Sequence, residues 1–130
     1  MVLAWLLLGP GAGPVARPPH IVFALVDDLG WHNLGARGNA EAQTPHLDAL
    51  RAGGVALERA YAYRYCSPTR SSVLSGRYAH HVNQFNWDAT SGHHAVVGGG
   101  IDPRFELLPA RLGAHGYATH LAGKWHCGWG

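Results

Sequence analysis

The run Ile21-Val22-Phe23-Ala24-Leu25-Val26 constrains the fold of this chain more than any other stretch. It is continuously apolar and rich in β-branched residues, the pattern of a parallel strand covered on both faces. Parallel strands need long crossovers, usually helices, and helical signals follow at suitable intervals. Thr44-Pro45 supplies an N-cap and a first-turn proline, which predicts a helix over about 45–52 closed by Gly53-Gly54. Leu47, Ala49 and Leu50 would face the sheet. Val55 to Tyr63 alternates as a second strand. Leu108-Pro109 opens another helix, running to about His115 and closed by Gly116, and Tyr117 to Ala122 reads as a third strand. No internal repeat is present. Strands separated by helices predict an α/β fold with a mainly parallel sheet flanked by helices.

At 130 residues the chain is one domain or part of one. With 47% hydrophobic and 14% charged residues it is globular rather than disordered. The formal charge is only +2, with no basic run, which argues against nucleic-acid binding. Nine basic residues are Arg and the single Lys is Lys124, an exception that suits a site needing a compact ammonium. The start, Met1-Val2-Leu3-Ala4-Trp5-Leu6-Leu7-Leu8, is too short to span a bilayer, which needs about 20 residues. Residues 1–19 read as a signal peptide or a disordered leader, with 20–130 as the folded part. No Asn-x-Ser/Thr acceptor occurs.

The segment Cys66-Ser67-Pro68-Thr69-Arg70, followed by Leu74-Ser75-Gly76-Arg77, carries the clearest chemistry. Pro68 fixes its own φ and suits a first helical turn, so 67–75 reads as a short helix with Gly76 as its stop. Cys66 then sits at a helix N-terminus, where exposed N–H groups favour negative charge. Arg70 lies four residues on, on the same face, and its guanidinium can grip an oxyanion. Such a corner suits a sulfate or phosphate ester.

Two further groups complete the pattern. Asp27 and Asp28 are adjacent carboxylates in the turn after the first strand, and a hard cation such as Ca²⁺ or Mg²⁺ would relieve their repulsion. Lys124 and His126 are two apart, so in extended chain they point the same way. In open α/β sheets ligands bind beyond the carboxyl ends of the strands, and all three groups follow strands. The alternative for each group by itself is ordinary: a packed cysteine, a solvated acidic pair, a surface Lys and His. Cys66 and Cys127 could in principle pair. Residues 78–104 read as a long surface loop. His80, His81, His93 and His94 within it read as solvated histidines, with substrate binding as the alternative.

Taken together, Val26-Asp27-Asp28-Leu29-Gly30-Trp31, the Cys66–Arg77 run and Gly123-Lys124-Trp125-His126 resemble three ordered blocks of the formylglycine-dependent sulfatases, within the alkaline-phosphatase-like superfamily. The resemblance runs from about His20 to the last residue and covers the N-terminal portion of that family. Cys127 stands where the family normally has an apolar residue, and Gly128 follows. The resemblance implies a sulfuric ester hydrolase of the arylsulfatase type. Asp27 and Asp28 would be metal ligands for Ca²⁺, with Mg²⁺ as the alternative, and Cys66 would be converted to formylglycine by the formylglycine-generating enzyme and also touch the metal. Arg70 would orient the aldehyde hydrate, Lys124 would bind sulfate and His126 would hydrogen-bond the hydrate. One hydrate hydroxyl would attack sulfur, and the other would expel sulfate by re-forming the aldehyde. A sulfate ester is the implied substrate, and the secretory pathway, secreted or lysosome-like, the implied location. The family's further metal ligands, second Lys and second His lie downstream of these blocks. Two other readings stand beside this one: a related metal-dependent phosphatase or phosphodiesterase, for which Ser or Thr at position 66 would be expected, and an inactive fragment.

Overall fold

Two short strands and three helices carry the chain in a computed structural model that describes residues 3–6, 18–82 and 100–128. The chain divides into two units, Met1–Ala62 and Tyr63–Gly130, each with its own packing. Among the described residues no helix is long and apolar enough to cross a membrane.

In the first unit β1 (Leu3–Leu6) pairs with β2 (Ile21–Ala24) in antiparallel register, Leu3 opposite Ala24 and Leu6 opposite Ile21. The apolar run does form a strand, but not one covered on both faces. Ile21, Val22 and Phe23 are 40%, 59% and 40% exposed. Antiparallel pairing to a single neighbour leaves a sheet face open, as antiparallel ribbons allow and buried parallel sheets do not. The expected strands at 55–63 and 117–122 are absent among the described residues. Val55, Leu57, Tyr61 and Leu121 are 82%, 67%, 89% and 67% exposed. Their alternation is that of strands, yet a strand needs a partner to accept and donate its backbone hydrogen bonds, and these segments have none there.

α1 (Pro45–Gly53) has proline in its first turn, as expected. Thr44 does not cap its own helix. Its hydroxyl accepts instead from the Gly35 N–H at 2.9 Å and donates to Asp48 Oδ1 at 3.0 Å. Asp48 Oδ1 also accepts from the Ala36 N–H at 3.0 Å. The helix start is thereby spent on holding a 3-10 turn, Gly35–Arg37. Arg37 lays its guanidinium 3.7 Å from the centre of the Trp31 ring and pairs with Glu58, which Arg51 also reaches at 3.2 Å. The Arg37 hydrogen bond, with help from Arg51, holds the Glu58 carboxyl below its ordinary range. Leu47 is half-buried, while Ala49 and Leu50 are exposed rather than packed on a sheet.

The second unit is built on α2 (Cys66–Ser75). Pro68 and Ser71 are its buried residues, and Gly76 ends it in the left-handed conformation with φ 66°, donating to Ser72 O at 2.8 Å. Thr69 Oγ1 accepts from the Tyr63 N–H at 2.9 Å, which ties the incoming chain to the first turn. A 3-10 turn, Ala79–His81, packs on α2. Residues 83–99, the greater part of the expected long loop, lie outside the described residues, as does most of the leader. α3 (Leu108–Ala114) has Pro109 in its first turn and packs on α2. Gly116, with φ 83°, follows it. The core is Val82, Ile101 and Cys127, flanked by Leu74, Phe105, Leu107 and Trp125.

Gly35 leaves no room for a side chain. A Cβ there would lie 2.8 Å from Asp48 Oδ2 and 2.9 Å from the Ala42 carbonyl oxygen, and the carbonyl belongs to backbone that cannot swing aside. Gly35→Ala is expected to cost about 1–3 kcal/mol of stability, the usual size of an overpacking penalty. Chemical denaturation reads this as a lower midpoint. A midpoint equal to the parent's would show that the turn is not packed against α1 in this way.

Candidate active site

In the first unit, Asp27 and Asp28 occupy the turn that follows β2, and both are exposed. Asp28 holds φ at 53°. Non-glycine residues rarely adopt this left-handed conformation, and Asp tolerates it better than most because its short side chain can bond locally. The turn presents two consecutive carboxylates, a donor set of hard oxygens that fits a Ca²⁺- or Mg²⁺-type ion and would fill two of its positions. Downstream, the Gly30 N–H donates to Asn33 Oδ1 at 2.5 Å and closes the next turn.

In the second unit, Cys66 is the first residue of α2 and is half-buried. Tyr65 before it is extended, so the chain enters the helix abruptly and leaves the first N–H groups of α2 around position 66. Arg70 stands one turn further on. Its Nη1 donates to the carbonyl oxygen of Lys124 at 2.5 Å, across 54 residues of sequence. One residue along α2, Ser71 is fully buried, and its Oγ donates to Ser67 O at 2.7 Å and lies 3.7 Å from Cys127 Sγ. Two consecutive helix residues thus hold the segment that carries Lys124 and His126.

That segment is shaped by its backbone. Gly123, His126 and Gly128 have φ of 113°, 53° and 74°. Trp125 Nε1 donates to Gly128 O at 2.7 Å, and the Ile101 N–H donates to Cys127 O at 3.2 Å. Trp125 and Cys127 pack with the core, whereas Lys124 and His126 are exposed. The alternation expected from the two-residue spacing therefore holds, although the segment is a turn and not a strand. Cys127 is 1% exposed. Burial pushes its thiol pKa up, and the Ser71 contact and the Arg70 charge offset this only in part. It is a neutral packed thiol, which explains why it stands at a position suited to an apolar residue.

The structure thus brings Cys66, Arg70, Lys124 and His126 into one unit and sets Asp27 and Asp28 side by side in the other. Sequence reasoning missed the Arg70–Lys124 bond, the Ser71–Cys127 contact and the left-handed backbones of Asp28 and His126. No local signal marks a contact across more than fifty residues. The left-handed positions had a faint one, since Asp and His are enriched in that conformation. His93 and His94 lie outside the described residues.

Comparison with known proteins gives this arrangement its family. The sulfatase family model matches residues 19–130. N-acetylgalactosamine-6-sulfatase of Sus scrofa is 38% identical over 128 residues, covering 92% of this chain and 24% of the relative. Steryl-sulfatase of Mus musculus is 40% identical over 126 residues, covering 90% and 19%. Arylsulfatase A of Homo sapiens is 38% identical over 127 residues, covering 96% and 24%. The chain therefore spans a quarter or less of the length of these relatives. No solved structure matches it. With its three motif blocks all inside the matched region, the chain belongs to the sulfatase family.

Proposed function

We propose that this chain contributes the nucleophile-bearing part of a sulfuric ester hydrolase of the arylsulfatase type. The observation that carries the reading is Cys66 at the opening of α2, with Pro68 buried in the first turn and Arg70 one turn along. A cysteine rather than Ser or Thr at this point favours sulfate over phosphate chemistry. The family membership and the names of the relatives support the same choice. The parallel sheet of the alkaline-phosphatase-like fold would then be completed by strands paired to the exposed apolar segments at 55–63 and 117–122. A secretory or lysosome-like location, and modification by the formylglycine-generating enzyme, belong to this proposal too.

In this reading Asp27, Asp28 and residue 66 are ligands of a divalent ion, Ca²⁺ or else Mg²⁺, and the carboxylate pair has the right donor chemistry. The ion, when bound, supplies Lewis-acid polarisation of an oxygen at the reacting centre. Cys66 is oxidised to formylglycine, and one hydroxyl of its hydrate attacks sulfur as the S–O bond to the alcohol breaks and the alcohol leaves with a proton. The second hydroxyl then loses its proton and re-forms the aldehyde, breaking the bond to the sulfate oxygen and releasing sulfate. Arg70, one turn into α2 from Cys66, orients and stabilises the hydrate. Lys124 neutralises a sulfate oxygen, and His126 exchanges a hydrogen bond or proton with the hydrate.

Two outcomes test this. Made in a cell that contains the modifying enzyme, the peptide holding Cys66 should lose its thiol and gain an aldehyde by mass spectrometry. Recovery of only unmodified Cys66 from such cells counts against the reading. In an active preparation, Lys124→Ala should lower kcat/KM for an aryl sulfate on the order of 10²-fold, the usual cost of one electrostatic contact to a transition state. The Arg70 bond reaches the Lys124 backbone carbonyl, so that bond does not depend on the Lys124 side chain. Lys124→Arg should also be impaired, because a planar fork does not replace a compact ammonium. Near-parent kinetics in both variants would remove Lys124 from the site.

A further inference from the structure

His80 and His81 take no part in the chemistry above. They sit in the 3-10 turn Ala79–His81, and that turn is anchored on both sides. Ala79 and Val82 are 3% and 0% exposed. The Ala79 N–H donates to the Tyr63 hydroxyl at 3.2 Å. The His81 and Val82 N–H groups close on Tyr78 O and Ala79 O at 2.9 and 3.1 Å. Both imidazoles are exposed and project from this fixed backbone. Their ring centres are 4.1 Å apart and their planes cross at 70°. Tyr78 stacks on His80 at 5.7 Å with planes 10° apart and meets His81 edge-on at 6.2 Å, which limits how either ring can turn.

Two imidazoles sharing one ion have ring centres about 4.5–5 Å apart, because each ligating nitrogen lies roughly 2.0–2.1 Å from the metal. The centres of His80 and His81, 4.1 Å apart, lie slightly inside that spacing. Imidazole nitrogen suits Zn²⁺, Cu²⁺ and Ni²⁺ rather than Ca²⁺ or Mg²⁺, so this donor set differs in kind from the Asp27–Asp28 carboxylates.

We propose that His80 and His81 form an exposed chelating site for a borderline divalent transition cation of the Zn²⁺ type, with water in its remaining positions. Both ligands stand on one short turn, so the second imidazole binds at high effective concentration once the first has bound. The site is independent of the sulfatase reading and needs no aldehyde at position 66.

The test is a titration of the chain with ZnCl₂, followed by the histidine ring resonances in NMR and by calorimetry. Zn²⁺ should perturb the rings of His80 and His81 before those of the other histidines, and CaCl₂ at the same concentration should not. His80→Ala and His81→Ala should each weaken binding at this site by at least about tenfold, through loss of the chelate. His120→Ala should leave it unchanged, and circular dichroism should stay that of the parent, since all three side chains are exposed. Parent-like Zn²⁺ affinity in the double variant His80→Ala/His81→Ala would overturn the site, as would ring perturbations that begin at other histidines.

Discussion

The chemistry proposed for the second unit depends on how residues 123–128 are held against α2. The bond from Arg70 Nη1 to the Lys124 carbonyl is the centre of that attachment. It is charge-assisted on the donor side, and such bonds are roughly twice as strong as neutral ones. It also fixes a backbone atom, so its effect reaches the side chains on either side of that atom. Ser71 adds a buried contact to Cys127, and Ile101 binds the Cys127 carbonyl from the other side. Lys124 and His126 can then stand exposed while Trp125 and Cys127 are packed inward. Arg70 consequently has a structural task that is visible in the fold, in addition to the role in binding the hydrate that is proposed for it.

Backbone strain coincides with the residues of interest. Asp28 and His126, the two non-glycine residues with positive φ among those described, are both site candidates identified from sequence. Left-handed conformations cost on the order of 1–3 kcal/mol and persist where the surroundings enforce them. Around His126 the enforcement is visible: Gly123 and Gly128 bend the chain on either side, and Trp125 Nε1 bonds to the Gly128 carbonyl. An extended segment would also alternate its side chains. The bend instead lets this alternation occur within a tight turn anchored at Cys127.

What was legible in the sequence was what local interactions decide. The three helices begin where Pro45, Pro68 and Pro109 said they would, to within two residues, and Gly76 ends α2 in the left-handed conformation it was expected to adopt. These signals act within one turn of chain and need no distant partner. The strands were less legible because their partners are not local. Ile21–Ala24 is a strand, but its neighbour is Leu3–Leu6, from a segment read as a leader. The apolar alternation at 55–63 found no strand among the described residues. Thr44 illustrates a subtler failure: the residue type was right for a cap, but Gly35 offered its hydroxyl a competing N–H. Cys66, Arg70, Lys124 and His126 were singled out from spacing and resemblance, whereas the bond that joins Arg70 to the Lys124 carbonyl could not be read there.

The two cysteines show why residue type alone leaves chemistry undecided. Both are free thiols here, and sequence left open whether they pair. Cys127 is closed off by Val82 and Ile101, with Trp125 beside it, and burial raises its thiol pKa. Thiolate is the reactive form, so both access and ionisation argue against reaction there, and oxidation would put a polar group into the core. Cys66 is half-buried at the start of a helix, where the chain leaves an extended segment and the first N–H groups have no partner further back in the helix. The environment, rather than the element, thus marks Cys127 as a packing residue and leaves Cys66 available for the role proposed for it. The division follows from a difference the sequence does carry: Cys127 stands where an apolar residue belongs, and Cys66 stands one residue before a helix-starting Ser-Pro.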